Sequence, residues 1–118
     1  MAPRPIRLNG SAQRLSVYVS ENEQYGGQPL YSALVEQARK AGCAGATVLR
    51  GIEGFGAASV SDPDRGLRMS SDMPVVVTVI DIESRITALA EVFSTMLGDG
   101  LISVENIDVM VYRGGNKA

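Results

Sequence analysis

The chemistry this sequence can offer centres on two arginines and two glycine-flanked turns. Arg50 closes a β-branched stretch, Thr47-Val48-Leu49, and runs into Gly51 and then Gly54-Phe55-Gly56. Glycine permits positive φ and lets a backbone approach a ligand or a neighbouring chain closely. Gly98-Asp99-Gly100 repeats the pattern later in the chain, and Arg113 stands between Tyr112 and a Gly-Gly pair. Backbone N–H groups from two such turns, with Arg50 and Arg113 as fixed cations, would make an anion cradle. Each part also has a plain explanation as a strand end, a cap or a solvated charge. Asp99 has three roles open to it: a cap, an arginine's partner, or an acceptor for a ribose hydroxyl. Phe55, an apolar ring between two glycines, needs a specific place to pack, whether in its own subunit, on a base or on a neighbour. Arg65 and Arg68 border the central loop, where they could engage a ligand or a partner.

Composition closes most other chemistries. Histidine is absent, which removes the commonest general base and metal ligand from any device built within this chain. Cys43 is the single cysteine, set among small residues, and reads as a packed thiol rather than a nucleophile. The carboxylate pairs Asp62/Asp64 and Asp81/Glu83 fall in turn or cap contexts, and hard cations need more converging oxygens, so no metal is expected. With a net charge of −2 and no Lys/Arg cluster, the chain is not built to track nucleic acid. No apolar run approaches the roughly 20 residues that span a bilayer, and the N-terminus lacks a signal-peptide core. A cytoplasmic protein that is not inserted in a membrane is the expectation.

The 118 residues allow one domain with one core. Residues 1–13 read as a mobile basic tail, 14–113 as the folded domain and 114–118 as a loose C-terminal tail. Leu15, Val17 and Val19 alternate along a first strand, Arg14 to Ser20, and Glu21 to Gly27 is a polar loop. Pro29 opens a first helix carrying Leu30, Leu34 and Ala38 on one stripe, and Gly42 ends it. A second strand spans Ala46 to Ile52. Ser59 to Gly66 has the composition of an exposed loop. A third strand beginning near Leu67 to Met69 is interrupted at Pro74 and continues as Val75 to Ile80, a β-branched run expected to be central and covered on both faces. Asp81 is placed to cap a second helix, whose stripe is Ile86, Leu89, Ala90, Phe93 and Leu97. Leu101-Ile102, a turn at Glu105-Asn106 and a last strand, Ile107 to Tyr112, complete the chain. This β-α-β, β-α-β order predicts a ferredoxin-like α+β sandwich, a four-stranded antiparallel sheet with two helices on one face. The valines supplied to the strands (Val17, Val19, Val75, Val77, Val79, Val109 and Val111) favour burial of the other face by association.

From Leu15 to Tyr112 the chain resembles a bacterial family of small PII-like proteins of unknown function. The residues carrying the resemblance are Tyr25-Gly26-Gly27-Gln28-Pro29-Leu30-Tyr31, the run Ala44 to Gly56, and Met73-Pro74-Val75-Val76-Val77. It implies a homotrimer like the PII signalling proteins, which hold adenine nucleotides between subunits and signal through a loop between their second and third strands. Gly54-Phe55-Gly56 looks like the base of that loop, Gly98-Asp99-Gly100 like the phosphate-binding turn, and Arg113-Gly114 like the arginine-glycine after the last strand. Where PII proteins carry a phosphate-binding lysine, this chain has Leu101, and its signalling loop is short. No resident cofactor is implied. The resemblance points to a nucleotide or other small anion as effector, an adenine nucleotide being what the PII proteins hold.

Three functions follow in order. The first is a non-enzymatic trimeric sensor whose ligand sits between subunits and reorders the loop from Ala57 to Asp72. The second is an interaction module without a ligand that docks onto a membrane transporter or enzyme. The third is a small enzyme limited to Tyr, Asp and Arg.

Overall fold

The computed structural model describes residues 10–56 and 72–114. Four strands, β1 (Gly10–Ser20), β2 (Ala46–Arg50), β3 (Pro74–Asp81) and β4 (Leu101–Val109), form one sheet in the order β2-β3-β1-β4. Every neighbouring pair is antiparallel. Helices α1 (Leu30–Lys40) and α2 (Glu83–Met96) follow β1 and β3 and pack against one face. This is the ferredoxin-like α+β sandwich that the element order predicts.

Two periodicities meet in the core. Alternate residues of β1 (Leu15, Val17, Val19) and β3 (Val75, Val77, Val79) turn inward and meet Leu30, Ala33, Leu34 and Ala38 of α1. Ile86, Leu89, Phe93 and Met96 arrive from α2 at helical spacing. Each large side chain buried here contributes roughly 1.5–3 kcal/mol. Helix α1 stops where Gly42 takes φ +79°. Cys43 N donates to Ala38 O at 3.1 Å and Gly42 N to Arg39 O at 3.0 Å, the paired bonds of a Schellman turn.

The structure corrects several boundaries. Strand β1 begins at Gly10 rather than Arg14, because the residues assigned to the tail find partners on β4. Gln13 Nε2 donates to Asn106 Oδ1 at 2.9 Å and Arg14 Nε to Glu105 Oε1 at 3.0 Å. Those two bonds also explain why Glu105-Asn106 is not a turn: β4 runs unbroken from Leu101 to Val109, and Tyr112 lies beyond it. Strand β2 ends at Arg50, not Ile52. Pro74 opens β3 instead of interrupting it, and its carbonyl accepts from Gly51 N at 2.8 Å. The run Val75 to Ile80 is central in the sheet, but within one chain only its inward face is fully covered; Val76, Thr78 and Ile80 are half-buried. Leu67 to Met69, the loop from Ser59 to Gly66 with Asp62 and Asp64, Arg65 and Arg68, and residues 1–9 and 115–118 lie outside the described residues.

Asp81 is not the cap of α2. It is the last residue of β3, and its position in the alternation turns it inward with Val79, where it is fully buried. Its carboxylate accepts from Ala44 N at 3.0 Å and Ile82 N at 2.7 Å, and Arg85 Nε stands 3.6 Å away. Arg85 Nη1 in turn donates to Ala41 O and Gly42 O, so the start of α2 caps the end of α1. Ile82 takes the N-cap position with no side-chain cap bond.

Candidate functional site

Directly paired residues of neighbouring strands share a face, so the register gives the composition of the helix-free side. One row crosses all four strands: Leu49, Val76, Tyr18 and Leu101. Leu49 is 60% and Leu101 50% exposed. The next row is entirely hydroxylated, with Thr47, Thr78, Ser16 and Ser103 in register. An apolar stripe beside a hydroxyl stripe is unlike the aliphatic inner face.

The apolar row ends at the first glycine turn. Phe55, 78% exposed, lines an open cleft of about 300 Å³ with Tyr18, Leu49, Arg50, Gly54 and Pro74. Gly54 and Gly56 both adopt positive φ, at +155° and +129°. Arg50, the last residue of β2, donates from Nε to Glu21 Oε1 at 2.8 Å. The second glycine turn lies at the same end of the sheet. A side chain at Gly100 would meet Tyr18 O at 2.8 Å and Leu97 Cγ at 3.2 Å, so this close approach requires glycine. Asp99 is exposed between Gly98 and Gly100.

Between the two glycine turns stands a short acidic turn, Ser20 to Glu23, at the start of the segment expected to be a polar loop. Glu21 Oε1 accepts from Met73 N at 3.1 Å as well as from Arg50, and Glu21 N donates to Met73 O at 2.9 Å. Ser20 Oγ donates to the Asp72 carboxylate and accepts from Asn22 N. Asp72 is the described non-glycine residue with positive φ, at +79°. Glu23 reaches the other way: a side chain at Gly98 would meet its Oε2 at 2.8 Å.

Arg113 is elsewhere. Strand β4 starts beside Tyr18 and ends beside Gly10, carrying the chain about 25 Å along the sheet before Arg113 is reached. At that far end Tyr112 Oη donates to Ala44 O at 3.4 Å. The segment after β4 walls a second cavity of about 380 Å³ with Ala46, Thr47, Thr78, Ile80, Val111 and Tyr112. Within one chain, therefore, the structure brings Arg50, Gly54, Phe55, Gly56, Gly98, Asp99 and Gly100 to one end of the sheet and leaves exposed Arg113 at the other.

Comparison with known proteins is decisive at the level of family. The DUF190 family, described as "Uncharacterized ACR, COG1993", matches residues 12–109. The chain belongs to this family. Among DUF190-like relatives, a UPF0166 protein of Aquifex aeolicus is 35% identical over 96 residues, covering 81% of this chain and 90% of its own. The UPF0166 protein MJ1524 of Methanocaldococcus jannaschii is 32% identical over 104 residues, covering 87% and 94%. In fold, the chain is similar to CPII of Thiomonas intermedia K12, a nitrogen regulatory PII-like protein solved with ADP, AMP and bicarbonate. The TM-score is 0.60 at 15% identity, over 87% of this chain and 97% of that one. Resemblance and fold class thus agree with what the residues of this DUF190 chain predict.

The chemistry of the remaining candidates is plain. Cys43 packs against the core, and burial, helped by the nearby Asp81 carboxylate, pushes its thiol up to about 11. Among the described residues of this family member, no group of three or more His, Cys, Asp and Glu side chains is placed to hold a metal ion. None of their helices is long and apolar enough to cross a membrane. Glu21, Glu23 and the Thr47/Thr78 pair are not singled out by the sequence. Each threonine is the one hydroxyl residue of its strand, so no pattern within β2 or β3 points to the pair.

Proposed function

We propose that this DUF190 chain is a PII-like regulatory protein that acts by binding rather than turnover. Three copies assemble, a small anionic ligand sits between neighbouring subunits, and a partner protein, a membrane transporter or an enzyme, is controlled through the segment between β2 and β3. The observation that carries this reading is the separation of the cations. Arg50 with both glycine turns lies at one end of the sheet and Arg113 at the other, so the cradle closes only when the Arg113 end of one chain meets the Phe55 end of the next. A head-to-tail contact of this kind generates a ring when its rotation closes. The bare apolar row of Leu49, Val76, Tyr18 and Leu101 supplies the surface for it. CPII, similar in fold, was solved with ADP and AMP, and an adenine nucleotide is the ligand class we assign here.

Ligand residues in this proposal are Arg50, Gly54, Phe55 and Gly56 from one subunit, Gly98, Asp99 and Gly100 beside them, and Arg113 from a neighbour. The working domain is the expected 14–113 extended to Gly10 by strand β1, and the protein is cytoplasmic. A second reading is favoured by Leu101, whose half-exposed side chain joins the apolar row rather than leaving a cation beside Gly100. On that reading the chain is an interaction module without a ligand.

Thermal denaturation across ADP, AMP, ATP, cyclic nucleotides and simple anions separates the two, because binding to the folded state raises Tm by mass action. We expect one nucleotide to raise Tm in the wild type and not in Arg113→Ala. A flat panel would overturn the sensor and leave the docking module.

A further inference from the structure

We propose that Glu21 is a positioning residue which holds the two chain segments flanking the Phe55 cleft together and keeps Arg50 occupied until an anion takes its place. A single carboxylate oxygen, Oε1, accepts from Arg50 Nε at 2.8 Å and from Met73 N at 3.1 Å. Arg50 is the exit of β2 and Met73 the entry of β3, so one atom fixes both segments. The backbone repeats the link, Glu21 N donating to Met73 O at 2.9 Å. Ser20 binds the carboxylate of Asp72 beside it.

The same turn places a second carboxylate, Glu23, against Gly98. An anion arriving between the glycine turns therefore meets two carboxylates and a cation already engaged. In this proposal it binds by replacing Glu21 at Arg50 Nε. The exchange is accessible, since the Arg50 side chain is 49% and that of Glu21 23% exposed. It is also inexpensive, because a partly solvated ion pair is weakly held. The displaced carboxylate is the one that fixes Met73, so occupation of the cleft is felt at the start of β3. The anion half of this inference rests on the ligand reading above; the holding of Arg50 and Met73 does not.

Two variants separate the roles. Glu21→Gln keeps an acceptor for the Met73 amide but loses the charge that engages Arg50. Glu21→Ala loses both. The probes are inorganic pyrophosphate and ADP, titrated by calorimetry, with site-resolved amide hydrogen exchange read without any probe. Expected results are exchange at Met73 about tenfold faster in Glu21→Ala and near wild type in Glu21→Gln. Probe affinity should rise about fivefold in Glu21→Gln and the gain should disappear in Glu21→Gln/Arg50→Ala. Unchanged exchange at Met73 in Glu21→Ala overturns the positioning role. Probes that bind the wild type with no gain in Glu21→Gln overturn the competition and leave the ligand reading standing. If neither form binds while Met73 exchange still rises in Glu21→Ala, the positioning role is supported and the ligand reading falls.

Discussion

The two faces of the sheet are built from the same strands and differ in every second residue. Inward, β1 and β3 present Leu15, Val17, Val19, Val75, Val77 and Val79, all buried beneath two helices. Outward, the intervening positions present an apolar row, a hydroxyl row and an ion pair, Arg14 with Glu105. A face made only of aliphatic groups has one stable outcome, burial at folding, and cannot be uncovered without unfolding the domain. A face that mixes Leu49 and Tyr18 with Thr47 and Ser103 is tolerable in water and still able to bury area against another chain. The inner face thus decides whether the chain folds, and the outer face is left to decide what it meets.

The largest effect that could break this comparison is on the inner face. Phe93 is fully buried in the last turn of α2, and Phe93→Ala should lower stability by about 3–5 kcal/mol. Leu49→Asp, on the outer row, should change the stability of the isolated chain by no more than about 0.5 kcal/mol. Its effect should appear instead in association. Light scattering should report a lower mass, and the dependence of Tm on protein concentration should disappear. Equal losses of folding stability in the two variants would mean that the faces are not divided as described.

The division was half legible in the sequence. Alternation in β1 and the 3.6-residue stripes of both helices identify the inner face, because burial acts directly on residue type, whereas the β-branched run of β3 does not separate its two faces. The outer face is harder, since burial within the chain does not select its residues. Strand β4 shows the difficulty. Glu105-Asn106 has the composition of a turn, and only the partners Arg14 and Gln13, about 90 residues earlier, make it a strand interior. Reading β4 as short also hid the position of Arg113, because an unbroken strand carries that arginine to the far end of the sheet. Asp81 failed for the opposite reason: a cap residue by type, it is drawn inside by strand alternation and satisfied by the Ala44 amide. At the candidate site, Arg50 and Phe55 stand out in the sequence because glycines lie beside them. Glu21 does not, since nothing in its own neighbourhood announces a partner 29 residues away.

Cys43 sharpens the comparison at the edge of the inner face. With its thiol pushed up to about 11 from an ordinary 9.0, mainly by burial, thiolate at mildly alkaline pH should be about a hundredfold scarcer than in a free cysteine. Iodoacetamide labelling near pH 8 should be slower than that of a small thiol by about the same factor, and should become normal in urea. Labelling of the folded chain at the free rate would show that the loop after α1 opens readily and that the inner face is less closed than its burial implies.

The smallest effect belongs to the outer face. Arg14 lowers the Glu105 carboxyl below its usual 4.5, first through the hydrogen bond and then through its charge. A carboxylate whose folded-state value is depressed contributes stability above its unfolded pKa and loses it as pH falls through the folded value. Arg14 is raised in turn, but from a starting value that keeps it charged throughout this range. Wild type and Glu105→Gln should therefore differ slightly near pH 7 and converge as pH falls through the depressed folded-state value of Glu105, read as urea midpoints. Because both side chains are well exposed, added salt should shrink the difference in dilute protein. Association alters that arithmetic. If a second chain covers the row, the pair loses water, and Glu105→Gln leaves Arg14 buried beside a neutral partner, which costs far more than the exposed pair contributes. A Glu105→Gln defect that grows with protein concentration would place this row inside the interface. A defect that stays small and salt-sensitive at every concentration would confine the interface to the Leu49, Val76, Tyr18 and Leu101 row.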